Sequence, residues 1–321
     1  MSELSVIMSV YEENEEYLCL AIDSIINQSY KDFEFIIVLD NPKNTKALTI
    51  LKYYEKKDSR IKLLINESNI GLALSLNKAA KEASGKYLAR MDADDISMPE
   101  RFQKQIAFMK KNPQITVLGI NKIEIDEKGE IVARGTLLPT TTHKTAKILK
   151  YSNIMVHPGV IIRKVDFDKI GGYRYFPVSQ DFDLWLRFVS NGYKIVNINE
   201  YLIKYRTSSY NISINRAYLQ ELFAKYIRNL YKERIYKKNC SDSYSMSEIE
   251  KLLDKDKYNR EEAKCYQVAR LLYLEGKAEV KKRKILKGVF LIMKSCGKHE
   301  LILEHTWREI MCGILKRFSL I

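Results

Sequence analysis

The sequence is organised around one acidic stretch, Ala89-Arg90-Met91-Asp92-Ala93-Asp94-Asp95. It follows the strand-like run Lys86-Tyr87-Leu88, and three of its last four residues carry carboxylates. Like charges this close repel each other, so at least one carboxyl is expected to hold a proton unless a cation is bound. The hard ions Mg²⁺ and Mn²⁺ prefer carboxylate oxygens. Two interpretations follow from these residues alone: a divalent metal site, or a solvated acidic turn that ends a strand.

Short apolar, β-branched runs alternate with amphipathic helical patterns on the N-terminal side of this stretch, which predicts a parallel sheet joined by right-handed crossovers. The predicted strands are Leu4–Val10, Phe33–Leu39, Ile61–Ile65 and Lys86–Arg90. Ligands of such sheets bind beyond the carboxyl ends of the strands. Polar residues stand at those ends here, and we expect them to share one edge of the sheet: Ser9, Tyr11, Glu12, Asp40, Asn41, Asn69, Asp92 and Asp94.

Beyond the acidic stretch, Ile96–Arg101 has the pattern of a helix start. The predicted helix runs from Pro99 to Lys111, and Asp95 is assigned to that helix. Further strands are predicted at Ile115–Ile125, Ile131–Thr136, Val160–Arg163 and Tyr201–Tyr205.

A second polar group comprises His157 and the start of a helix at Ser179. Ser179 is the predicted N-cap, and acidic residues in a first turn suit the helix dipole. That is a purely structural explanation for Asp181 and Asp183.

Several functional classes are disfavoured. No Gly-x-Gly-x-x-Gly follows the first strand and no Walker motif occurs, which argues against a dinucleotide dehydrogenase or a P-loop NTPase. The five cysteines form no Cys-x-x-Cys pair, so we expect reduced thiols, no structural zinc and a cytoplasmic protein. Glu3 stands where a signal peptide would carry positive charge, and no apolar run is long enough to span a membrane.

The net charge is +14, and the part from Arg216 onward holds 24 basic and 14 acidic residues. Apolar residues recur there at helical spacing, which predicts several helices. The Lys-rich run Lys277–Lys287 precedes the apolar run Val289–Met293. Such a stretch suits either a solvated helix face or peripheral contact with an anionic membrane. No nucleic-acid-binding motif is present, so nucleic acid is not an expected partner.

The ordered segments resemble those of family 2 glycosyltransferases with the GT-A fold, of the kind that build bacterial surface polysaccharides. The resemblance covers roughly residues 4–213. It rests on Val6–Tyr11, Ala21–Tyr30 before Phe33-Glu34, Asn69–Ala73, Ala89–Ser97, and Gly171–Arg174 with Asp181–Arg187. It implies an α/β protein with a Rossmann-like mixed sheet in residues 1–213 and a basic α-helical region in residues 214–321.

The resemblance also implies inverting transfer of a sugar from a nucleotide-sugar, usually a UDP-sugar, to a hydroxyl of a glycan or polyprenyl-diphosphate-linked acceptor. The product would be capsule, O-antigen or lipopolysaccharide. Mn²⁺ or Mg²⁺ would support the leaving diphosphate. By the motif match, Asp94 is the direct metal ligand, Asp92 contacts ribose or metal, and Asp181 is the general base, with Asp183 as second choice.

In the first loop, Ser9, Tyr11 and Glu12 match positions that cradle the nucleobase. Asp40, Asn69 and Gly172 are also predicted to bind substrate. The chain departs from the family pattern at three places: Leu39 replaces the first of two acids, Gln180 replaces a Glu, and Thr207-Ser208 stands where a metal-binding His often follows Tyr-Arg. His157 is considered as a replacement ligand, beside a structural or acceptor-facing role.

Two other functions fit the sequence less well. A sugar-phosphate nucleotidyltransferase would carry a Gly-rich basic loop after the first strand, where this chain has Tyr11-Glu12-Glu13-Asn14. A non-catalytic basic binding protein would use the charge of the C-terminal part. The glycosyltransferase is expected in the cytoplasm, or peripherally on the inner face of the cell membrane.

Overall fold

A computed structural model describes residues 2–207, 216–237 and 241–317. The chain forms two compact units, one of Met1–Ala146 with Ile154–Ser209 and one of Lys147–Asn153 with Tyr210–Ile321. The predicted boundary between residues 213 and 214, and Cys240, lie outside the described residues. The membership of residues 147–153 in the second unit was not predicted from the sequence.

One mixed sheet organises the described part of the first unit. Its strands are β1 (Leu4–Val10), β2 (Phe33–Leu39), β3 (Ile61–Ile65), β4 (Tyr87–Met91), β5 (Ile96–Ser97), β6 (Ile115–Ile125), β7 (Ile131–Arg134), β8 (Ile161–Arg163) and β9 (Lys194–Arg206). Their order is β3-β2-β1-β4-β8-β6-β9-β5, with β7 beside β6. Strands β1 to β4 are parallel neighbours, whereas β8 runs antiparallel to both β4 and β6. The predicted α/β fold with a mixed sheet is confirmed.

Helices flank and follow this sheet. They are α1 (Glu15–Ile26), α2 (Thr45–Lys57), α3 (Leu72–Glu82), α4 (Arg101–Lys111), α5 (Thr142–Leu149), α6 (Lys164–Lys169), α7 (Gln180–Ser190), α8 (Ala217–Tyr236), α9 (Met246–Tyr258), α10 (Arg260–Lys281), α11 (Ile285–Cys296) and α12 (Glu300–Arg317). Among the described residues, none of these helices is both long enough and apolar enough to cross a membrane.

The central strands form the core because both of their faces are covered. Every residue of β2 except Glu34 is buried, as expected for parallel strands between helical layers. Helix α1 contributes a buried stripe of Leu18, Ala21, Ile22 and Ile25. The Asn14 side chain accepts hydrogen bonds from the backbone N–H groups of Glu16 and Tyr17, which fixes where α1 begins.

Two predictions about local structure were wrong. Ile96–Ser97 is not a helix start but strand β5, paired antiparallel with β9, and α4 begins only at Arg101. The Gln28 side chain donates to the Met98 carbonyl at 2.8 Å and so holds this segment extended. Strand β9 begins at Lys194, before the predicted start at Tyr201, because polar residues in its first half interrupt the apolar pattern.

The carboxyl ends of β1, β2 and β4 lie side by side at one edge of the sheet. The Asp40 N–H donates to the Val10 carbonyl at 2.7 Å, which joins the residues that follow β1 and β2. Asp92 comes directly after β4, which pairs with β1. This edge therefore gathers the loops that carry the predicted polar residues.

A tight turn before α7 positions Tyr173. Gly171 and Gly172 have φ angles of +79° and +65°, in the left-handed region that favours glycine. The Tyr173 N–H donates to Asn77 Oδ1 at 2.9 Å, and Asn77 Nδ2 donates to the Tyr173 carbonyl at 2.8 Å. Arg187 donates to the carbonyl of Gly172. The turn is thus anchored on α3 and α7 together.

We expect Gly172→Ala to reduce the free energy of unfolding more than Gly171→Ala does. A methyl group at Gly172 would lie 2.6 Å from Asn77 Oδ1, whereas one at Gly171 meets nothing within 4 Å. Gly171→Ala should cost about 1–2 kcal/mol for its left-handed backbone alone. Gly172→Ala should cost roughly 1–3 kcal/mol more, through overpacking. Equilibrium urea unfolding measures both, and equal losses would contradict the clash.

Candidate functional site

Three carboxylates cluster immediately after β4. Oxygens of Asp92, Asp94 and Asp95 lie within 4.8 Å of one another. Asp95 is 1% exposed, while Asp92 and Asp94 are half-buried. All five residues of β4 are buried, so the strand holds the base of the cluster rigidly. The structure thus brings the predicted acidic residues together at the carboxyl edge of the sheet.

Buried arginines lie next to this cluster. The Arg90 guanidinium, 2% exposed, forms an ion pair with Asp92. Arg101 is fully buried, and its Nη2 donates to the Arg90 carbonyl at 2.8 Å. Burial and the neighbouring Arg90 charge lower the pKa of Arg101 to about 9. Arg90 holds Asp92 in place and offsets part of the negative charge of the cluster.

Arg206, the last residue of β9, binds the same stretch from the other side. Its backbone N–H donates to Asp95 Oδ1 at 2.8 Å, and its Nε donates to the Asp94 carbonyl at 3.0 Å. Its guanidinium stacks 3.9 Å from the centre of the Tyr17 ring. Asp95 was assigned to the helix that follows it, and this was wrong, because Asp95 accepts from β9 instead.

The carboxyl groups of Asp94, Asp95 and Glu13 bind protons more tightly than they would in water. Burial and the charge of Asp92 raise the pKa of Asp94 to about 6 and raise that of Asp95 well above its ordinary value. Burial raises the pKa of Glu13 to about 7, with contributions from Asp94 and Asp92. Such shifts mean that neither water nor neighbouring cations fully stabilise the ionised carboxylates.

The donor set fits a divalent cation. Asp95 Oδ2 is buried and has no hydrogen-bond partner in the described structure. Together with the half-buried oxygens of Asp92 and Asp94, it offers the all-oxygen environment that Mg²⁺ and Mn²⁺ prefer. No histidine of the described chain belongs to this group. Thr207, where the family often has a metal-binding His, directs its hydroxyl to the Ile125 carbonyl at 3.0 Å.

The loop after β1 presents its side chains to solvent beside the cluster. Tyr11 is 40% exposed, Glu12 is exposed and Ser9 is half-buried. Asn41 Nδ2 donates to Glu12 at 3.2 Å, which ties this loop to the one after β2. The Tyr11 N–H donates to the Glu13 carboxylate at 2.7 Å. The first loop is thus shaped by two neighbouring acids.

Asp40 holds the next loop together. Its side chain is buried and accepts from Asn66 Nδ2 at 2.7 Å, from the Ile70 N–H at 2.9 Å and from the Gly71 N–H at 2.8 Å. Asn69 is exposed, and its Oδ1 also accepts from the Gly71 N–H. Asp40 therefore positions the loop that carries Asn69 toward the same edge.

A histidine–tyrosine pair lies near Arg90. His157 Nε2 and the Tyr173 hydroxyl are 2.8 Å apart. Burial, together with the charge of Arg90, lowers the pKa of His157 well below its ordinary value, so this ring is neutral. Burial raises the pKa of Tyr173, and the charges of Asp181 and Asp92 act in the same direction. The structure pairs His157 with Tyr173, outside the acidic cluster, in place of the metal-ligand role considered for it.

Two aspartates in the first turn of α7 have different surroundings. Asp183 is fully buried and accepts from Arg187 Nε at 2.8 Å, with Arg174 Nε at 3.4 Å. Asp181 is half-buried. Ser179 was predicted to cap this helix, which was wrong: its φ is +64° and its side chain makes no capping hydrogen bond. A capping side chain needs an extended backbone at that position.

Several residues of the site were not found from the sequence: Glu13, Arg90, Tyr173, Tyr205 and Arg206. Burial and the three aspartates of the cluster raise the pKa of Tyr205. One signal was available, since Arg90 is a charged residue inside an apolar strand and so requires a buried partner. Nothing in the local sequence links Arg206 to Asp95, because their contact depends on the register of β9.

The sequence of the first unit matches a known protein family. The family model for Glycosyl transferase family 2 matches residues 5–171, which include the cluster. Uncharacterized glycosyltransferase MJ1057 of Methanocaldococcus jannaschii is 41% identical over 226 residues, 70% of this chain and 77% of that protein. The chain belongs to glycosyl transferase family 2.

Other comparisons agree with this family and fold. The O-antigen biosynthesis glycosyltransferase WbnJ of Escherichia coli is 33% identical over 234 residues, covering 72% of this chain and 90% of WbnJ. The crystal structure of S. aureus TarS 1-349 with UDP-GlcNAc has a TM-score of 0.57 at 19% identity, covering 79% of this chain and 71% of TarS 1-349. The predicted GT-A fold is confirmed by this likeness.

We expect Asp94→Asn to stabilise the metal-free protein at pH 7.5. The raised pKa of about 6 means that ionised Asp94 is less favourable in the folded than in the unfolded chain. This penalty is absent below the unfolded pKa near 4 and complete above the folded pKa. Removing the charge should therefore raise the free energy of unfolding by about 1–3 kcal/mol at pH 7.5 and by about a third as much at pH 4.5.

Urea unfolding in excess EDTA at both pH values measures this difference. Asp126→Asn supplies a control, because the Asp126 side chain accepts from the backbone N–H groups of Lys128 and Glu130 in the turn between β6 and β7, and Asn keeps an oxygen that can accept them. If Asp94→Asn were less stable than the parent at pH 7.5, the ionised Asp94 carboxylate would not destabilise the folded protein.

Proposed function

We propose that this protein transfers a sugar from a UDP-sugar to a hydroxyl of a glycan or lipid-linked acceptor, with inversion at the anomeric carbon. The product would be a surface polysaccharide such as capsule, O-antigen or lipopolysaccharide. The observation that carries the proposal is the set of three clustered aspartates, Asp92, Asp94 and Asp95, at the carboxyl edge of a family 2 framework. Such a set suits the binding of a nucleoside diphosphate through a cation.

Known relatives support this donor and acceptor. WfgD of Escherichia coli is named UDP-Glc:alpha-D-GlcNAc-diphosphoundecaprenol beta-1,3-glucosyltransferase, and is 30% identical over 215 residues, 66% of this chain and 80% of WfgD. The names of WbnJ and AmsE place those proteins in O-antigen and amylovoran biosynthesis. TarS, which shares the fold, has been crystallised with UDP and with UDP-GlcNAc.

In the proposal, the nucleoside binds across the loops after β1, β2 and β3. The exposed Tyr11 ring offers a stacking surface for the base, Glu12 lies on the same loop, and Ser9 is the last residue but one of β1. Asn69 projects from the loop that Asp40 holds in place. Asp92, kept in position by Arg90, faces the ribose or the metal. Gly172 brings backbone close to α3 and places Tyr173 beside the acceptor region.

Asp94 and Asp92 would hold Mn²⁺ or Mg²⁺. A bound divalent ion offsets the negative charge that develops on the diphosphate leaving group. Arg206 contributes by fixing the backbone at Asp94 and one oxygen of Asp95. The raised pKa values of Asp94 and Asp95 fit carboxylates whose charge is balanced only when a cation is bound.

Asp181 is the proposed general base. An acceptor hydroxyl has a pKa far above neutrality, so it needs a carboxylate within hydrogen-bond reach as it attacks. Asp181 is half-buried, unlike Asp183, whose carboxylate is fully buried against two arginines. Both Asp181 and Asp92 raise the pKa of Tyr173, which supports a common site for the two carboxylates.

No feature of the described structure favours a nucleotidyltransferase. Such an enzyme needs basic groups after β1 to bind a triphosphate, whereas here that loop carries Glu12 and Glu13. The raised pKa of Glu13 reflects burial next to further acids, not the proximity of cations.

We expect Asp181→Asn to abolish sugar transfer while leaving the fold intact, because Asn cannot accept a proton at neutral pH. A loss of at least about 100-fold in kcat is the expected range for a general base. Asp183→Asn is the matched comparison, two residues away. It should lower the free energy of unfolding by about 3–5 kcal/mol, since it removes the buried negative charge that faces Arg187 and Arg174. Transfer assays with UDP-sugars and urea unfolding separate the two effects. Full activity in Asp181→Asn would remove Asp181 from the mechanism.

We expect the parent protein to bind UDP far more tightly in the presence of Mn²⁺ than after EDTA has removed divalent ions. Asp94→Ala should bind UDP equally weakly under both conditions. Isothermal titration calorimetry with UDP measures both. A screen of UDP-sugars for slow, metal-dependent hydrolysis without acceptor then identifies the donor. Lys128→Ala, a change in the exposed turn between β6 and β7, is a control that should bind as the parent does. Equal binding by Asp94→Ala and the parent would refute the metal assignment.

A further inference from the structure

Helix α11 packs on the rest of its unit through its small residues. Gly288 and Ser295 are buried on the side that meets α10. A methyl group at Gly288 would lie 2.6 Å from the Gly276 carbonyl oxygen, and one at Gly276 would lie 2.8 Å from the Gly288 carbonyl oxygen. The two backbones therefore touch, and this contact determines which side of α11 faces inward.

Leu291 and Ile292 of α11 are half-buried, and Ile292 packs against the buried cluster of this unit. Five other large apolar residues consequently face outward. At 100° per residue they occupy one continuous arc of about 140°, roughly opposite Gly288 and Ser295. They are all exposed in the described structure: Ile285 (59%), Leu286 (89%), Val289 (44%), Phe290 (65%) and Met293 (69%). A helix on a globular surface normally buries its apolar side, and α11 does the reverse. Contiguous apolar surface of this kind marks an interaction site.

The arc lies in strongly basic surroundings. Between Lys277 and Lys298 the chain has eight Lys or Arg residues and one Glu. Lys287 and Lys294 border the arc on α11, and the run of residues 281–284 precedes its first turn. The one acid, Glu279, is buried and accepts ion pairs from Lys282 at 3.4 Å and Lys287 at 3.3 Å. Little negative charge is thus presented beside the apolar residues.

Helix α12 shows that apolar exposure alone does not explain this arrangement. It exposes a narrow stripe of Leu303 (56%), Trp307 (54%), Ile310 (56%) and Ile314 (41%). The charged residues of α12 are mixed, with three Glu and one Arg in residues 300–315, followed by Lys316 and Arg317. The outward apolar arc of α11 thus has a positive border, whereas the stripe of α12 has a mixed one.

We propose that α11 is a docking helix for an anionic lipid surface. Its apolar arc enters the boundary between head groups and acyl chains, and the lysines around it bind lipid phosphates. A second copy of this chain is a poorer occupant, because pairing two arcs would bring Lys287 and Lys294 of both chains together. The inference rests on the geometry of the second unit. It deepens the proposed function by naming the surface on which a lipid-linked acceptor would be met.

The test is co-flotation of the full-length protein with vesicles. Binding to phosphatidylglycerol–phosphatidylcholine vesicles should exceed binding to pure phosphatidylcholine vesicles at least tenfold, and should weaken as salt is raised. The double variant Leu286→Ser/Phe290→Ser should lose at least tenfold in binding, and Lys287→Gln/Lys294→Gln should weaken anionic binding alone. The double variant Leu303→Ser/Ile310→Ser removes two exposed apolar residues of α12 and should bind as the parent does.

Three outcomes would overturn the proposal: equal binding to neutral and anionic vesicles, an equal loss in the α12 variant, or a parent dimer that Leu286→Ser/Phe290→Ser dissociates. UDP binding with Mn²⁺, measured on the same samples, should be unchanged in every variant. A protein that binds UDP but not vesicles would refute the docking helix and leave the proposed function standing. A protein that binds vesicles but not UDP would refute the proposed function and leave the docking helix standing.

Discussion

The first unit has to accommodate the repulsion among the carboxylates that follow β4. Three aspartates with oxygens within 4.8 Å of one another are not stable in a buried setting unless positive charge and donors surround them. Arg90 supplies a buried charge, and Arg206 supplies two hydrogen bonds from the end of β9. The raised pKa values of Asp94 and Asp95 show that these contributions do not balance the cluster completely. The proposed metal ion would supply the positive charge that is still missing.

The parts of the fold predictable from sequence were those with a strong local pattern. Strands β1, β2, β3 and β6 have the predicted bounds because runs of mainly apolar, β-branched residues between turn residues have few other solutions. The acidic cluster was predictable because its members are neighbours in the chain. Arg206 was not, since its contact with Asp95 spans 111 positions and depends on the register between β6 and β9. That register shifts at Ile120 and Asn121, which no local pattern indicates.

The two aspartates of α7 show that environment decides the role of a carboxylate more than residue type does. Two positions apart on a helix, side chains point to nearly opposite sides. Asp183 therefore meets Arg187 and Arg174 in the core, while Asp181 stays half-buried. The Gly171-Gly172 turn sets this orientation, because Arg187 also donates to the Gly172 carbonyl. A structural ion pair thus orients the helix that presents the proposed base.

The same reasoning applies to α11. An amphipathic pattern predicts that one side of a helix is apolar, but not which side the protein covers. Here the close approach of Gly276 and Gly288 settles the matter, since only a side lined by small residues lets two backbones touch. Five larger residues, Ile285, Leu286, Val289, Phe290 and Met293, are then left in solvent with lysines around them. Apolar surface that is exposed to water costs stability. A partner that covers this surface explains why the exposed side of α11 is apolar.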